Sequence, residues 1–348
     1  MYLKTILISS LLLLSACAPR LTRHETSSKP DSYTKPQTMI EVEAGRRLNL
    51  YCVGSGSPIV LLESGLTDPI NVWSLVQPSL ASQTQVCAYD RAGVGFSDAQ
   101  SRASNSENIA NDLHTLLKNA GLKPPFLLVG HSAGGMHARM YAYVYPKDVM
   151  GLVLVDPSHE DQTEGFRKLD PKKRTIAEWD QQVLQPSLEL RKGCIEAAKP
   201  EIVYGSESYE KCSFPQYVQL DSETQEATRE FQMSNKFQRA QLSEEETIFH
   251  ESSAQLRRAR KSLGSLPITV LTKDRPPLPT QTLTQAELEH RDARYSLWVS
   301  LGKNSAADST RGRQIIVPGA SHNMPLESPG AIMDAVISQL AEYRKTEE

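Results

Sequence analysis

The sequence predicts an α/β fold in which a mostly parallel central sheet is flanked by helices. From about residue 40, strand-like apolar runs alternate with helix-like segments, which is the pattern of strands joined by crossover helices. The runs "SPIVLLESG", "PFLLVG" and "VMGLVLVDP" are rich in branched apolar residues, as expected for strands buried on both faces. The 348 residues allow one large domain or two small ones.

The predicted elements follow one another in a regular order. The first two predicted strands, "MIEVEAG" and "RLNLYCVG", form a hairpin, and four further strands follow: "SPIVLLESG", "TQVCAYD", "PFLLVG" and "VMGLVLVDP". The helices predicted between these strands are "SLVQPSLAS", "SENIANDLHTLLKNAGL" and about 133–145. Strand-like runs then vanish, and we interpret 158–266 as a helical cap inserted after the sixth strand. The core is therefore predicted as 40–157 and 267–348, with final strands "LPITVLT" and "RQIIVPG" and final helix "PGAIMDAVISQLAEYRK".

The N-terminal segment has the pattern of an export signal. One lysine, a short apolar run and small residues make up 1–17, too short and wrongly flanked for a membrane-spanning helix. "LSAC" resembles the lipobox of bacterial lipoproteins, which implies cleavage before Cys17, lipidation of that cysteine and membrane anchoring. Because Ala18 follows rather than aspartate, the resemblance implies the outer membrane, facing the periplasm or the surface. The alternative is an ordinary signal peptide, and 18–39 is predicted to be a flexible tether.

Composition narrows the possible partners. The net charge is −3 and no basic stripe with interleaved aromatic residues occurs, so nucleic acid is not expected as a partner. No CxxC or histidine cluster indicates a metal, and no pattern indicates an organic cofactor. Cys194 and Cys212 enclose a short polar segment and make a plausible disulfide. Cys52 and Cys87 lie in apolar runs and are a disulfide or free buried thiols, and the oligomeric state is left open.

The stretch "GHSAG", residues 130–134, carries the strongest chemical signal. It fits the G-x-S-x-G pattern and stands between a predicted strand and a predicted helix, the setting of a nucleophile elbow. A side chain at either glycine would collide with the neighbouring strand or helix. The start of the helix then points at Ser132, and the N–H of Ala133 can help to hold an oxyanion.

Several motifs in order resemble the α/β-hydrolase superfamily, in the capped serine hydrolase form, over about residues 40–345. They are the oxyanion segment "LLESGLTDPINVW", the turn "YDRAGVGFSD", the elbow "LLVGHSAGG", the sixth strand "GLVLVDPSHED" and the histidine loop "PGASHNMPLESP". The resemblance implies an α/β-hydrolase fold with Ser132 as nucleophile and His322 as general base. It also implies an oxyanion hole made by the backbone N–H groups of Leu66 and Ala133.

The acid that should orient His322 has two candidates. Asp156 ends the sixth strand, where some lipases of the superfamily carry the acid in a similar Leu-Asp-Pro context. Asp274 follows the seventh strand, where most members place it, but the usual spacing falls on Pro276. Both aspartates stay open as the third member of a Ser-His-Asp triad.

Two further residues of the expected site depart from the common pattern or need a role. Glu63 and Ser64 stand in the oxyanion segment where the commoner pattern has histidine before glycine, and a carboxylate beside an oxyanion would be harmful. We expect Glu63 to turn away and pair with Arg91. His131 lies inside the elbow, where its side chain cannot easily reach Ser132, so we expect a packing or structural role.

These residues predict a serine hydrolase that cleaves a carboxylic ester through an acyl-enzyme. The alternatives are a peptidase or thioesterase on the same fold, or a binding lipoprotein without catalysis. A serine rather than an aspartate nucleophile argues against dehalogenase or epoxide hydrolase chemistry. Aromatic residues of the cap either pack its own core or line an apolar acyl site: Phe166, Trp179, Tyr204, Phe214, Tyr217, Phe231 and Phe237.

Overall fold

A computed structural model describes residues 32–279 and 282–347 of the chain. Within these residues the centre of the molecule is an eight-stranded sheet. The strands are β1 (Thr38–Glu43), β2 (Arg46–Val53), β3 (Ile59–Glu63), β4 (Val86–Tyr89), β5 (Phe126–His131), β6 (Val149–Val155), β7 (Ile268–Lys273) and β8 (Gly312–Val317). Their order across the sheet is β1-β2-β4-β3-β5-β6-β7-β8. The β1/β2 and β2/β4 pairs are antiparallel, and all other pairs are parallel, as the alternating pattern predicts.

Helices connect the strands and cover the sheet. Those of the core are α1 (Gln77–Leu80), α2 (Ser106–Asn119), α3 (Ala133–Val144), α11 (Gln285–Ala306), α12 (Met324–Glu327) and α13 (Pro329–Glu347), with a 3-10 turn at Ile70–Trp73. Between β6 and β7 lie α4 (Gln162–Lys168), α5 (Ile176–Trp179), α6 (Gln185–Ala197), α7 (Glu207–Cys212), α8 (Ser222–Met233), α9 (Asn235–Thr247) and α10 (Ser253–Ala259), with π-helical turns at Asp180–Leu184 and Ile248–Ser252.

The apolar strands have a hydrophobic layer on each face of the sheet. Side chains alternate along a strand, so neighbouring residues enter different layers. Leu61 and Leu128 pack on the side of α2 and α3, whereas Val60 and Val129 pack on the side that holds Trp73 and α13. This burial on both faces explains why the central strands contain few polar residues.

The cap contains one helix boundary that the sequence pattern does not predict. The stretch "SETQEATREFQMSNKFQRAQ" has the composition of a single helix, yet it forms α8 and α9. Ser234 breaks it, because its backbone is extended (φ −76°, ψ 142°) and its side chain accepts a hydrogen bond from the N–H of Phe237. The same residue makes an isolated antiparallel bridge with Glu201. The break therefore comes from an N-cap and a tertiary contact together.

Two disulfides join the four cysteines of the described residues. Cys52 and Cys87 face each other in the β2/β4 pair, and Cys194 and Cys212 link α6 to α7 within the cap. The export signal, the lipobox with Cys17 and most of the expected tether lie outside the described residues. The described end of that segment is not a free tether, because Tyr33 is buried against the core and donates to Gln77 Oε1 at 3.1 Å. In the part of the chain that is described, no helix has the length and apolar character needed to cross a membrane.

Candidate active site

The site is built where β5 ends and α3 begins. Ser132 lies in this sharp turn with a strained backbone (φ 52°, ψ −120°). A Cβ on Gly130 would lie 2.4 Å from the carbonyl oxygen of Gly134, and one on Gly134 would lie 2.3 Å from that of Glu63. The two glycines are thus needed for close approach of strand, helix and oxyanion loop, as the elbow motif predicts.

His322 lies on the loop after β8 and contacts Ser132. Its Nε2 is 3.0 Å from Ser132 Oγ, and its Nδ1 is 2.5 Å from Asp156 Oδ2. Since an ionised carboxylate can only accept, Nδ1 donates to Asp156 and Nε2 is free to accept the serine proton. The structure therefore brings together Ser132, His322 and Asp156, hereafter the trio.

Asp156 is fully buried at the end of β6 and is held from several sides. Its Oδ1 accepts hydrogen bonds from the indole of Trp298 at 2.6 Å and from the backbone N–H of Lys273 at 3.1 Å. The ammonium of Lys273 lies 3.3 Å from Oδ2. Burial pushes the pKa of this carboxyl upward, but the hydrogen bond and charge of His322, with Lys273 and Trp298, outweigh burial and lower the pKa. Asp156 is therefore held as a carboxylate.

Asp274, the other candidate acid, lies apart from the imidazole. Its carboxylate accepts hydrogen bonds from the backbone N–H groups of Gly319 at 2.8 Å and Arg275 at 2.7 Å, which lower its pKa. Its own N–H donates to the carbonyl of Ala320 at 3.0 Å. Asp274 thus braces the start of the loop that carries His322, and no contact of its carboxylate with the ring is found in the described residues.

The predicted oxyanion donors belong to two segments near the nucleophile: Leu66 lines the same cavity as Ser132, and Ala133 follows Ser132 in the chain. Ala133 opens α3, so its N–H belongs to the first turn and has no acceptor within the helix. Within the described residues, no backbone acceptor is found for the N–H of Leu66. The next N–H, that of Thr67, is occupied because it donates to Glu244 Oε2 at 2.6 Å. Leu66 and Ala133 thus keep donors available beside Ser132.

A buried ionic cluster lies beneath the oxyanion loop. Glu63 turns away from the site and accepts from Arg91 at 2.8 Å and from the hydroxyl of Tyr89 at 2.5 Å, so the expected pairing with Arg91 is confirmed. Arg91 also donates to the carbonyls of Ser64 at 2.8 Å and Gly65 at 2.5 Å.

The cap completes this cluster with a residue that the sequence analysis did not find. Glu244, on α9, accepts from Arg91 at 2.8 Å while it holds the N–H of Thr67. No local sequence motif predicts the contact between Arg91 and Glu244, because the two residues are 153 positions apart. Trp298 was missed for the same reason, since it reaches Asp156 from 142 positions away.

His131 supports the loop that carries the base. Its Nε2 donates to the backbone carbonyl of His322 at 2.8 Å, which agrees with the expected structural role. Burial, together with the charge of His322, lowers the pKa of His131 to about 3, so the ring is neutral. Its Nδ1 is consequently an acceptor, and it has no partner among the described residues.

A cavity of about 440 Å³ is lined by Ser132 and His322 of the trio. The oxyanion loop and the cap form its walls, and four of the seven aromatic residues considered above line it: Phe214, Tyr217, Phe231 and Phe237. The other three pack elsewhere. Phe166 stacks near Trp298, Trp179 lies under Arg174, and Tyr204 contacts Tyr209. Four of the aromatic residues thus line the cavity, whereas Phe166 packs on a core helix and Tyr204 is largely exposed.

Comparison with a known family agrees with this architecture. A sequence model described as the α/β-hydrolase fold matches residues 58–200, which run from β3 into the cap and include the elbow and Asp156. The chain has the α/β-hydrolase fold, with its mostly parallel sheet and flanking helices. The match and the fold together support a place in the α/β-hydrolase superfamily.

Curated relatives are similar over part of the chain. The uncharacterised protein YbdG of Bacillus subtilis is 25% identical over 152 residues, 43% of this chain and 46% of its own length. The uncharacterised protein YqjL of the same organism is 34% identical over 109 residues, 31% of this chain and 43% of its own length. The matched stretch thus spans less than half the length of each of these relatives.

Solved structures resemble the chain over most of its length. The epoxide hydrolase CorEH has a TM-score of 0.61 at 19% identity, over 88% of this chain and 99% of its own. A provisionally assigned lipase, lip1, from Acinetobacter baumannii has a TM-score of 0.62 at 18% identity, over 92% and 95%. A provisionally assigned α/β hydrolase, ALR0039, from Nostoc has a TM-score of 0.64 at 19% identity, over 88% and 99%. At these identities the likeness shows the fold alone.

Proposed function

We propose that the protein is a serine hydrolase that cleaves a carboxylic ester through an acyl-enzyme. The observation that carries this proposal is the continuous hydrogen-bonded trio at the mouth of the cavity, with Ser132 Oγ at 3.0 Å from His322 Nε2. An activated serine needs a base within this distance and a third group that orients the base. Asp156 is the orienting acid in this proposal, because its carboxylate lies 2.5 Å from His322 Nδ1.

Acylation follows from the geometry. Ser132 Oγ bonds to the ester carbonyl carbon as His322 Nε2 takes the hydroxyl proton, and the carbonyl π electrons move onto the oxygen. The N–H groups of Leu66 and Ala133 bind this oxyanion, while Asp156 stabilises the imidazolium. The C–O bond to the alcohol then breaks, and His322 returns its proton to the departing alkoxide.

Deacylation repeats these steps with water as the nucleophile. His322 removes a proton from water as the new C–O bond forms at the acyl carbon. The bond to Ser132 Oγ then breaks and the serine regains its proton, so the carboxylic acid leaves and the enzyme is restored. A serine nucleophile forms an ester intermediate that this neutral base can cleave with water, in accord with a hydrolase of acyl groups.

A labelling experiment tests the proposal. Wild type, Ser132→Ala and His322→Ala, each lacking residues 1–17, are treated with a fluorophosphonate probe and assayed with p-nitrophenyl esters of increasing chain length. We expect labelling of wild type and its complete loss in Ser132→Ala, with turnover reduced about 10³-fold or more in either variant. A folded wild type that is neither labelled nor active on any ester would overturn the proposal.

We also propose that the mature chain is anchored in the bacterial envelope by acyl groups on Cys17. The "LSAC" sequence supports this proposal, and each buried methylene of an acyl chain contributes about 0.8 kcal/mol to membrane binding. Cells fed a labelled fatty acid should incorporate it into the wild-type chain and not into Cys17→Ala. Release of the unlabelled wild-type protein as a soluble periplasmic form would contradict this anchoring.

A further inference from the structure

The cavity beside the trio has an unusual balance of charge. Among the described residues that line it, Asp68 is the one acidic side chain, and none is lysine or arginine. Four aromatic side chains of the cap line the same cavity. A cavity with an acid and no resident cation is suited to a ligand that brings its own positive charge.

Asp68 is fixed by the turn that carries the oxyanion donor. Its N–H donates to the carbonyl of Gly65 at 3.2 Å, and a Cβ on Gly65 would lie 2.6 Å from Asp68 Oδ2. The carboxyl group is therefore held against the oxyanion loop, two residues beyond the N–H of Leu66. The Tyr217 hydroxyl from the cap donates to this carboxyl.

A second acceptor lies close to the same point. A Cβ on Gly65 would be 3.0 Å from His131 Nδ1 and 2.6 Å from Asp68 Oδ2, so both acceptor atoms lie close to this glycine. His131 is 96% buried, lines the cavity and leaves Nδ1 without a donor among the described residues. Asp68, which keeps further acceptor capacity beyond the Tyr217 hydrogen bond, and His131 Nδ1 thus place two acceptors close together at the cavity.

The charges behind the cavity do not neutralise Asp68. Arg91 is the nearest buried cation, but it is shared by the carboxyl groups of Glu63 and Glu244. Burial raises the pKa of Asp68 to about 6, with Glu244 raising it further and Arg91, His322 and Tyr217 opposing. The carboxyl is therefore mostly ionised at neutral pH, and a bound cation would hold it fully ionised.

We propose that the natural ester carries a protonated amine, which Asp68 binds in the cavity while Ser132 attacks the carbonyl. The inference rests on the proposed ester hydrolysis and names its substrate class. An ammonium group brings both the positive charge and the several N–H donors that the two acceptors need. The aromatic wall formed by Phe214, Tyr217 and Phe231 would accommodate the carbon chain and the cation together.

Pairs of esters of equal shape test the inference. On the acyl side, the methyl ester of β-alanine is compared with methyl butanoate, and that of ε-aminocaproic acid with methyl heptanoate. On the alcohol side, dimethylaminoethyl butanoate is compared with isoamyl butanoate. Monomethyl succinate supplies the anionic counterpart. We expect kcat/KM to favour the ammonium ester by about 10- to 100-fold in at least one pair, and the anionic ester to be the poorest substrate.

A charge-removing variant assigns this preference to Asp68. Asp68→Asn should lower the ratio of kcat/KM for the ammonium and neutral esters by about tenfold or more. Glu226→Gln is the matched control, because it removes one carboxylate from the outer side of α8, where Glu226 pairs with Arg229. The control should keep the wild-type ratio.

The pH dependence gives a readout that needs no variant. Both esters of a pair are cleaved by the same trio, so the ratio of their kcat/KM values cancels any pH dependence that the two reactions share. In wild type the preference should fall as pH drops through about 6, because protonation of Asp68 removes the negative charge while the amine stays charged. Equal rates for both esters of every pair, with normal fluorophosphonate labelling, would overturn this inference alone. Absence of labelling and of all ester hydrolysis would instead remove the proposed function.

Discussion

At the scale of single residues, the trio follows from the register of two neighbouring strands. His131 at the end of β5 lies opposite Val155 at the end of β6, so Ser132 and Asp156 are the next residues on each strand. The loop after β8 brings His322 over both. Motifs were sufficient to predict Ser132 and His322, whereas the choice between Asp156 and Asp274 depends on which carboxylate the loops turn toward the imidazole. Sequence spacing does not contain that information.

The first prediction separates the two aspartates. Asp156→Asn should lower kcat by about 10³- to 10⁴-fold, because the amide no longer stabilises the imidazolium and favours the wrong tautomer of His322. Steady-state kinetics on a p-nitrophenyl ester measures the loss. Asp274→Asn is the matched control and should stay within about threefold, since its partners are backbone N–H groups. A larger loss in Asp274→Asn than in Asp156→Asn would contradict the assignment.

Trp298 carries a second prediction at this scale. Its indole donates a hydrogen bond to Asp156 Oδ1 at 2.6 Å. Trp298→Phe removes this hydrogen bond from a buried carboxylate oxygen. We expect kcat to fall about 10-fold with little change in KM, because the acid is positioned less well while the substrate cavity is unaltered. Steady-state kinetics on a p-nitrophenyl ester checks the cause, since a loss confined to kcat indicates that the acid, rather than substrate binding, is affected. A change in KM alone would mean that Trp298 contacts substrate.

At the scale of elements, the sequence patterns locate the strands and core helices well but not the contacts between cap and core. Alternating apolar runs depend on burial at each position, which is a local property of the chain. The break between α8 and α9 depends instead on Ser234 and its bridge to Glu201, and the hold of α9 on the oxyanion loop depends on Glu244. Such contacts join residues that are far apart in sequence, so the periodicity of apolar residues does not predict them.

The contact of α9 with the oxyanion loop leads to a third prediction. Glu244→Ala removes the acceptor of the Thr67 N–H and one partner of Arg91, so the neighbouring Leu66 donor should lose its position. We expect kcat to fall about 10- to 100-fold, with a smaller effect on KM for short neutral esters. Glu246→Ala, an exposed acid on the same helix, is the control and should behave as wild type. Equal losses in both variants would contradict the role of Glu244.

The disulfide between α6 and α7 leads to a fourth prediction. Cys194 and Cys212 are buried and form the centre of a small apolar cluster within the cap. A crosslink closing a loop of this size stabilises a protein by about 2–4 kcal/mol, so the free energy of unfolding of the double serine variant, measured with urea, should be lower by that amount. Reductant should lower the stability of wild type more than that of the variant, because the variant keeps only the disulfide between Cys52 and Cys87. A variant as stable as oxidised wild type would show that the cap is held by packing alone.

At the scale of the whole molecule, a buried ionic network ties the cap to both halves of the core. Arg139 on α3 binds Glu160, after β6, at 2.6 Å and Asp308, after α11, at 3.0 Å. Arg260, at the end of α10, binds Glu160 at 3.2 Å and Asp308 at 2.7 Å. Two arginines and two carboxylates thus join the entry and exit of the cap to the helix that follows the nucleophile.

Because of this network, the free energy of unfolding of the whole fold should depend on pH in the acidic range. Burial pushes the pKa of Glu160 upward, but the charge and hydrogen bonds of Arg139 and the charge of His159 outweigh burial and lower it to about 2. Because the folded pKa is depressed, this contribution is complete above the ordinary pKa of about 4.5 and is lost as pH falls toward 2. A shift of that size corresponds to about 3 kcal/mol.

Urea unfolding at two pH values provides the test. Glu160→Gln should be less stable than wild type by about 3 kcal/mol at pH 7, and the difference should shrink steadily below about pH 4.5 because wild type loses its charge there. Glu164→Gln is the matched control, since its ion pairs with Arg167 and Lys168 are partly exposed and contribute about 0–1 kcal/mol. A difference between wild type and Glu160→Gln that stayed constant with pH would mean that packing around Glu160, rather than its charge, holds the cap to the core.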